Sequence, residues 1–369
     1  MKKISRNVTV VLGGQAGSEG KGKFAGYLAI KDKPLASFCN FMPNAGHTWV
    51  GNNGEKVMVQ QLPQAVVNKD IVLMFSAGGA IELDLLMKEI KANNVAQDEL
   101  AIHPRAMVIE PRHREEEAKA LNRISSTLKG CGYASADKVV RGSEVKLAKD
   151  VPELAPYVVT MDKWYKLVSV LTTSKGDLGV LVEAPQGFDL DINHGLEYPY
   201  CTSRQTTTAQ AIADAGIPPQ AVKEVIAVIR PYPIRVGNVY DENGKMVGYS
   251  GGYEDSKELS WEEIAERSGT PREEIKELTT VTKKLRRVFE LNLPRLSKMC
   301  MVNGVTQIAL NFANYIDYEV LGATKMEQLT PKVLEFIAKI EDYTGVPVTL
   351  IGTGARDCDI VDLRKEKLN

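Results

Sequence analysis

The segment from Val8 to Lys31 constrains this chain more than any other. Val8-Thr-Val-Val-Leu12 is short, β-branched and stopped by Gly13-Gly14, which predicts a buried strand. Residues from Gly20 to Lys31 suit a helix. Between them lies Gly13-Gly-Gln-Ala-Gly-Ser-Glu-Gly-Lys-Gly-Lys23, with five glycines and two lysines. Strand, glycine loop and helix in this order open many α/β nucleotide-binding folds. The loop is not a Walker motif: Gly20-Lys21 is followed by Gly22 rather than a hydroxyl residue, and Gln15 stands where the first glycine belongs. Backbone amides together with Lys21 at a helix N-terminus would still hold an anion. The competing reading is a glycine-rich structural turn.

Other short apolar runs punctuate the chain. Ile71–Phe75, Val180–Val182, Val225–Ile229, Ile308–Leu310 and Val348–Ile351 read as strands of a largely buried sheet. Helical patterns lie between them over Leu83–Lys91, Glu115–Leu128 and Pro331–Tyr343, the last announced by Thr330 and Pro331. Asp241–Glu258 is dominated by Gly, Asp, Glu, Ser and Lys. It predicts a loop or hairpin turning at Glu242-Asn-Gly244, followed by a short helix over Trp261–Arg267. With no internal repeat and no composition break, the expectation is a single domain over residues 1–369. Its class is α/β, with a large, mostly parallel central sheet flanked by helices, P-loop-NTPase-like in its opening.

At 369 residues, 44% hydrophobic and 25% charged, the chain can bury a sizeable core. A formal net charge of −1 argues against coating nucleic acid or lying on a membrane surface, since both need a basic excess. Cys39, Cys131, Cys201, Cys300 and Cys358 are far apart and form no Cys-x-x-Cys pair, so neither a disulfide framework nor a zinc site is expected. Met1–Asn7 is polar, no signal-peptide pattern follows, and no apolar run approaches the ~20 residues that span a bilayer. The expected setting is the cytoplasm, that of the host if the chain is phage-encoded.

Three further clusters carry chemistry. Asn44-Ala-Gly-His-Thr48 places a histidine among small residues; such a histidine is either catalytic or structural. Glu183-Ala-Pro-Gln-Gly187 follows a strand and runs into Asp191-Ile-Asn-His-Gly195 and Tyr198-Pro-Tyr-Cys-Thr202. Polar groups after a strand's end are where open α/β sheets bind ligands. Thr279-Thr-Val-Thr-Lys-Lys-Leu-Arg-Arg287 combines hydroxyls with four cations that would hold carboxylate or phosphate, the alternative being a solvated basic face.

Taken together and in order, these segments resemble the adenylosuccinate synthetase family, especially its shorter archaeal-type form. The loop from Gly14 to Lys23 resembles that family's Gly-Gln-Trp-Gly-Asp-Glu-Gly-Lys-Gly-Lys, and Asn44–Thr48 its Asn-Ala-Gly-His-Thr. Gln186-Gly187, Tyr198–Tyr200 and Thr202-Ser203 resemble the next block, Thr279–Arg287 the aspartate loop, and Ile351-Gly-Thr-Gly354 the base-binding turn. The resemblance implies a two-step ligase. A nucleoside triphosphate phosphorylates the 6-oxygen of a purine nucleotide, and the amine of L-aspartate displaces that phosphate. It implies that Lys21, with Gly46, serves phosphate and Mg2+, with Ser18 in the place of a magnesium-binding catalytic aspartate. It gives His47 the transferring phosphoryl group and Gln186 the 6-oxygen side. Ser18, Asn44, Ser126, Thr127, Gln186 and Thr202 would hold the nucleotide monophosphate, with Arg141 reaching it from the second subunit of a homodimer. Gly17, Glu19, Gly20, Lys21, Gly22, Gly46, His47, Thr48, Asn314, Gly352 and Gly354 would surround the triphosphate donor. Thr280, Val281, Thr282, Lys284 and Arg286 would hold aspartate.

The departures from that pattern bear on substrate choice. Ser18 replaces an aspartate that takes the N1 proton of inosine monophosphate, and a serine hydroxyl cannot act as that base near neutral pH. A smaller neutral residue instead leaves room at the purine N1/C2 edge, where guanine carries a 2-amino group. Asn314 replaces an aspartate that reads the guanine of GTP; asparagine offers one acceptor and one donor, which complements adenine. Gly352 and Ala355 replace the serine and proline of the base pocket. Lys284 replaces an arginine and loses its bidentate fork. Asn238-Val-Tyr-Asp-Glu242 replaces a family stretch after Arg235-Val-Gly237. These changes resemble the phage branch of the family, which implies a ligase joining dGMP to aspartate with ATP or dATP as donor, on the route to 2-aminoadenine DNA. Two other readings stay open: an ordinary synthetase using IMP and GTP, and a catalytically silent nucleotide-binding relative.

Overall fold

The computed structural model describes residues 3–121, 124–173, 179–253, 256–277 and 285–368. Its centre is a nine-stranded sheet. In chain order the strands are β1 (Val8–Gly13), β2 (Ala36–Cys39), β3 (Val72–Phe75), β4 (Leu100–Ile102), β5 (Val180–Glu183), β6 (Val222–Ile229), β7 (Gln307–Leu310), β8 (Val348–Gly352) and β9 (Ile360–Asp362). Across the sheet they run β9-β8-β7-β6-β1-β5-β2-β3-β4. Every neighbouring pair is parallel except β8 with β9. β1 therefore lies in the middle, flanked by β6 and β5. The carboxyl ends of β1, β2, β5, β6, β7 and β8 share one edge, where doubly wound sheets bind ligands.

Alternation along the strands explains why both faces are covered. Val8, Val10 and Leu12 of β1 join Phe38, Val182, Ala227, Ile229 and Leu310 in one apolar core. Helices α5 (Met161–Thr173), α6 (Thr208–Ala215), α8 (Leu293–Asn303) and α9 (Pro331–Thr344) cover it with Trp164, Ile212, Met299 and Ile337. Val11, Leu181, Ile226, Val228 and Ala309 point the other way, onto Phe24, Ala25 and Leu28 of α1 (Lys21–Lys31). Helix α2 (Leu83–Ala92) closes a third cluster beside β3 and β4 through Leu86 and Ile90. Among the described residues no helix is long and apolar enough to cross a membrane.

The five strands expected in the sheet after Val8–Leu12 all form within a residue or two at most ends, although β6 begins at Val222. Three more, β2, β4 and β9, were not expected. They are three or four residues long, and β2 reads Ala-Ser-Phe-Cys, with Ser37 fully buried. The helix expected over Glu115–Leu128 is corrected: α3 spans Pro111–Leu121, opening on a proline suited to a first turn. Ser125 and Leu128 take left-handed backbone at φ 54°, which a helix cannot continue. It is followed by α4 (Cys131–Val140). The expected hairpin forms, with Val239–Tyr240 antiparallel to Met246–Gly248 and Gly244 at φ 74°. Beyond it α7 (Trp261–Ser268) begins on a reciprocal cap: Glu263 N–H donates to Ser260 Oγ (3.0 Å), and Ser260 N–H donates to Glu263 Oε2 (2.8 Å).

Candidate active site

The glycine loop leaves β1 at the centre of the sheet edge. Gly14 N–H donates to the Val228 carbonyl of β6 (2.8 Å), then the chain turns through left-handed backbone at Gly17, Ser18 and Gly20 before α1 begins. Gly20 has no substitute here. Its φ is 89°, and a Cβ would lie 2.1 Å from Nδ2 of Asn311. The N-cap at Gly20 has no side chain to give; Lys23 N–H turns back to the Gly20 carbonyl (3.1 Å), and the N–H groups of Lys21 and Gly22 are placed to serve an anion. The fully buried Glu19 carboxylate accepts hydrogen bonds from Gln15 N–H (3.2 Å), Gly17 N–H (2.8 Å) and Lys21 Nζ (2.9 Å). That shapes the loop from inside and holds the Lys21 ammonium at the mouth of the helix.

Three neighbours converge on this loop. A Cβ at Gly13 would sit 2.5 Å from the Gln186 carbonyl and 2.9 Å from Lys21 Nζ, so the turn after β5 is packed directly onto the loop. Gln186 itself is left-handed, at φ 58°. Gly22, in the first turn of α1, meets the strand His47–Val50: its Cβ would lie 2.7 Å from Thr48 N and 2.9 Å from His47 Cβ. The His47 ring is buried, with Nδ1 2.5 Å from Oε1 of Glu183, the last residue of β5. The other Glu183 oxygen accepts Gln64 N–H (2.8 Å). With Nδ1–H donated to the carboxylate, Nε2 is left without a partner among the described residues, and the ring is fixed in tautomer and direction. Lys21, His47 and Gln186 thus stand around one loop. Asn44 is half-buried and Gly46 exposed in the turn before His47.

Of the other residues expected at a nucleotide monophosphate, Ser126, Thr127 and Arg141 flank α4, and Thr202 lies on a segment that meets its start. A Cβ at Gly132 would touch Ser203 Cβ at 3.1 Å, which sets the start of α4 beside Thr202. Thr202 Oγ1 is buried with no hydrogen-bond partner among the described residues. Ser126 Oγ donates to Glu117 Oε1 (3.0 Å), whose other oxygen accepts Gly130 N–H, and Thr127 is exposed. Arg141 is exposed at the C-cap of α4, with φ 61°.

On the other side of the loop, β7 and β8 deliver Asn314, Gly352 and Gly354. Asn311 Nδ2 donates to the Glu19 carbonyl (3.0 Å), and a Cβ on Gly352 would lie 2.2 Å from Asn311 Oδ1. Asn314 is half-buried in the short turn Ala313–Tyr315. Lys23 reaches across from α1 and donates to the carbonyls of Gly354 (2.7 Å) and Asp359 (2.8 Å). Burial lowers its ammonium to about 7, with Asp359 and Asp357 pulling the other way. Thr280, Val281, Thr282 and Lys284 lie outside the described residues. Arg286 lies within them, its guanidinium on Glu277 Oε2 (2.7 Å).

Sequence reasoning placed Glu183 and Lys23 inside its motifs without giving either a role, and missed Arg230, Glu277 and Asn311 as part of this edge. Glu183 carried a readable signal, a carboxylate ending an otherwise apolar strand. So did Arg230, a cation directly after the apolar run of β6. Glu277 and Asn311 carried none, because only the fold brings them to the loop.

The fold is that of α/β enzymes that handle nucleotides, with its candidate site at the carboxyl edge of the sheet. A model of the adenylosuccinate synthetase family matches residues 10–151 and 144–319. The adenylosuccinate synthetase of Archaeoglobus fulgidus is 36% identical over 98% of this chain and 99% of its own length. The N6-succino-2-amino-2'-deoxyadenylate synthase of Acinetobacter phage SH-Ab 15497 is also 36% identical, over 84% of each chain. Among solved structures, the succinoaminodeoxyadenylate synthetase of cyanophage S-2L, bound to dGMP and dATP as an energy donor, superposes with a TM-score of 0.81 at 31% identity, covering 97% of this chain and 96% of that one. The chain belongs to the adenylosuccinate synthetase family, and it is a C–N bond-forming ligase of that type.

Proposed function

We propose that this ligase condenses dGMP with L-aspartate, using ATP or dATP, to give N6-succino-2-amino-2'-deoxyadenylate. The observation that carries the reading is Ser18. The family's aspartate at this position is replaced by a small neutral residue in a loop whose other parts are in place: Lys21 on Glu19, His47 on Glu183, and Gln186 against Gly13. A carboxylate there would face a purine 2-amino edge at close range; a hydroxyl leaves space for it. Asn314 supports an adenine donor, and the likeness to phage enzymes of that activity supports the pair of substrates. A second reading, the ordinary synthetase using IMP and GTP, draws on archaeal relatives of equal identity and fuller coverage.

In the proposed site the donor's phosphates lie over Gly17–Gly22, with Lys21 and the first turn of α1 opposing their charge. His47 Nε2 faces the group in transfer, held by Glu183. Gln186 orients the 6-oxygen. Thr202 supplies its unpaired hydroxyl to the monophosphate, with Asn44, Ser126 and Thr127 beside it and Arg141 coming from a partner subunit. Arg286 and the segment Thr280–Lys284 hold aspartate, whose amine displaces phosphate from C6. Mg2+ fits this donor set as an ion carried mainly by substrate phosphates. Glu19 and Glu183 are already engaged, which leaves neutral oxygens such as the Gly46 carbonyl and the Ser18 hydroxyl. When bound, it would neutralise charge on the phosphates.

The test is Ser18→Asp assayed on dGMP and IMP with aspartate and each of ATP, dATP and GTP. The expected outcome is a fall in the dGMP-to-IMP ratio of kcat/KM by at least about tenfold. An unchanged ratio would remove Ser18 as the determinant.

A further inference from the structure

Arg230 follows β6 at the sheet edge, and its side chain is fully buried. Its backbone is clamped by Gln15 in both directions: Gln15 Nε2 donates to the Arg230 carbonyl (3.0 Å), and Arg230 N–H donates to Gln15 Oε1 (2.9 Å). The guanidinium lies 4.4 Å over the ring of Phe312. Nη1 donates to the Ser18 carbonyl (3.2 Å) and to Glu277 Oε2 (3.2 Å), and Nη2 to Glu277 Oε1 (2.6 Å). Glu277 Oε2 also accepts from Arg286 Nη1 (2.7 Å), and the Glu277 carbonyl accepts Arg286 N–H (3.0 Å).

One largely buried carboxylate, 13% exposed, therefore joins two arginines, and one of these grips the peptide of Ser18. Burial alone would push the Glu277 carboxyl up; Arg230 and Arg286 outweigh it and hold it below the usual range, so the network is charged and paired. Ser18 needs such a hold. It is a non-glycine residue at φ 58°, a backbone state that persists only where surroundings over-determine it.

We propose that Arg230 is a positioning residue: through Ser18–Arg230–Glu277–Arg286 it ties the residue at the purine edge to the residue at aspartate, so the two substrate positions are set together. This rests on the proposed roles of Ser18 and Arg286. A disturbance at Arg286 reaches Ser18 through two ion pairs and one hydrogen bond, all partly withdrawn from water, where coupling is stronger than at the surface.

The experiment uses Arg286→Met, whose site is slightly solvent-exposed and distant in sequence from Ser18. The dissociation constant of the purine monophosphate is measured calorimetrically with no aspartate present. The relay predicts weakening by about three- to tenfold. A residue that only touches aspartate leaves that constant within twofold of wild type and overturns the proposal. Glu277→Gln should weaken monophosphate binding to the same degree and raise KM for aspartate about tenfold. Arg230→Lys, which keeps the charge and loses the fork, should fall between wild type and Glu277→Gln. Should Glu277→Gln fail to fold, the Arg230→Gln/Glu277→Gln pair, which removes the fully buried charge and leaves only the slightly exposed Arg286 without its carboxylate, carries the same reading. The ligand is whichever of dGMP and IMP the wild-type enzyme turns over. Turnover of IMP alone would thus sink the proposed function while the relay is still decided on IMP.

Discussion

At the scale of the residue, the site is built from charges that are taken out of water and then used. Glu19 and Glu183 each give one oxygen to backbone N–H groups and the other to a side chain, Lys21 in one case and His47 in the other. Lys23 is the exception, because its ammonium faces two carbonyls rather than a carboxylate oxygen. Its proton affinity falls to about 7 from an ordinary 10.5 through burial. Below about pH 7 both folded and unfolded chains hold the proton, and the cost of burying the charge is fully present. Between about 7 and 10.5 the unfolded chain binds more protons than the native one, so native stability rises with pH. Replacing Lys23 by Met removes this dependence. In urea unfolding, wild type should therefore gain on Lys23→Met by up to about 1.4 kcal/mol per pH unit above neutrality. Parallel stability profiles for the two proteins would show that Lys23 stays protonated.

At the scale of the element, the strand–loop–helix unit was readable because each part is locally determined. β-branched residues make β1, glycines make the loop, and α1 begins where the glycines allow. Gly20 shows how strict that is, with a left-handed backbone and Asn311 pressed against it. Gly20→Ala should destabilise the fold by on the order of 2 kcal/mol and weaken donor binding, read by thermal unfolding and donor titration. Retained stability with unchanged donor affinity would mean that the loop tolerates another path. The elements that the sequence hid are the ones that tertiary context makes. β2 has no β-branched residue and becomes a strand because β5 and β3 flank it in register, Cys39 facing Glu183 on one side and Phe75 on the other. The run Glu115–Leu128 is helical in composition, yet Glu117 draws Ser126 and Gly130 back upon it and the chain turns at Ser125. The motifs that the fold brings around the loop, those of Lys21, His47 and Gln186, were legible as clusters of polar groups at strand and helix ends. Arg230, Glu277 and Asn311 were not, because their roles come from long-range contacts at the sheet edge.

At the scale of the whole molecule, one sheet edge gathers groups from six parallel strands, and Arg141 stands apart from that edge. Arg141 caps α4 on the surface, with the apolar Val139 and Val140 beside it 78% and 73% exposed. In the proposed homodimer this patch is covered and Arg141 enters the neighbouring site. Mixing Arg141→Ala subunits with Lys21→Met subunits, each inactive alone, should then restore activity to about a quarter of wild type through heterodimers with one complete site. A mixture as inactive as its parts would place Arg141 outside the reaction. The central claim is the choice of purine, and the most direct measurement is a competition. Wild-type enzyme is given equal dGMP and IMP with aspartate, Mg2+ and ATP, and the products are weighed by mass spectrometry. We predict that succino-2-amino-2'-deoxyadenylate predominates. A product pool of adenylosuccinate alone, or turnover seen only when GTP replaces ATP, would contradict that account.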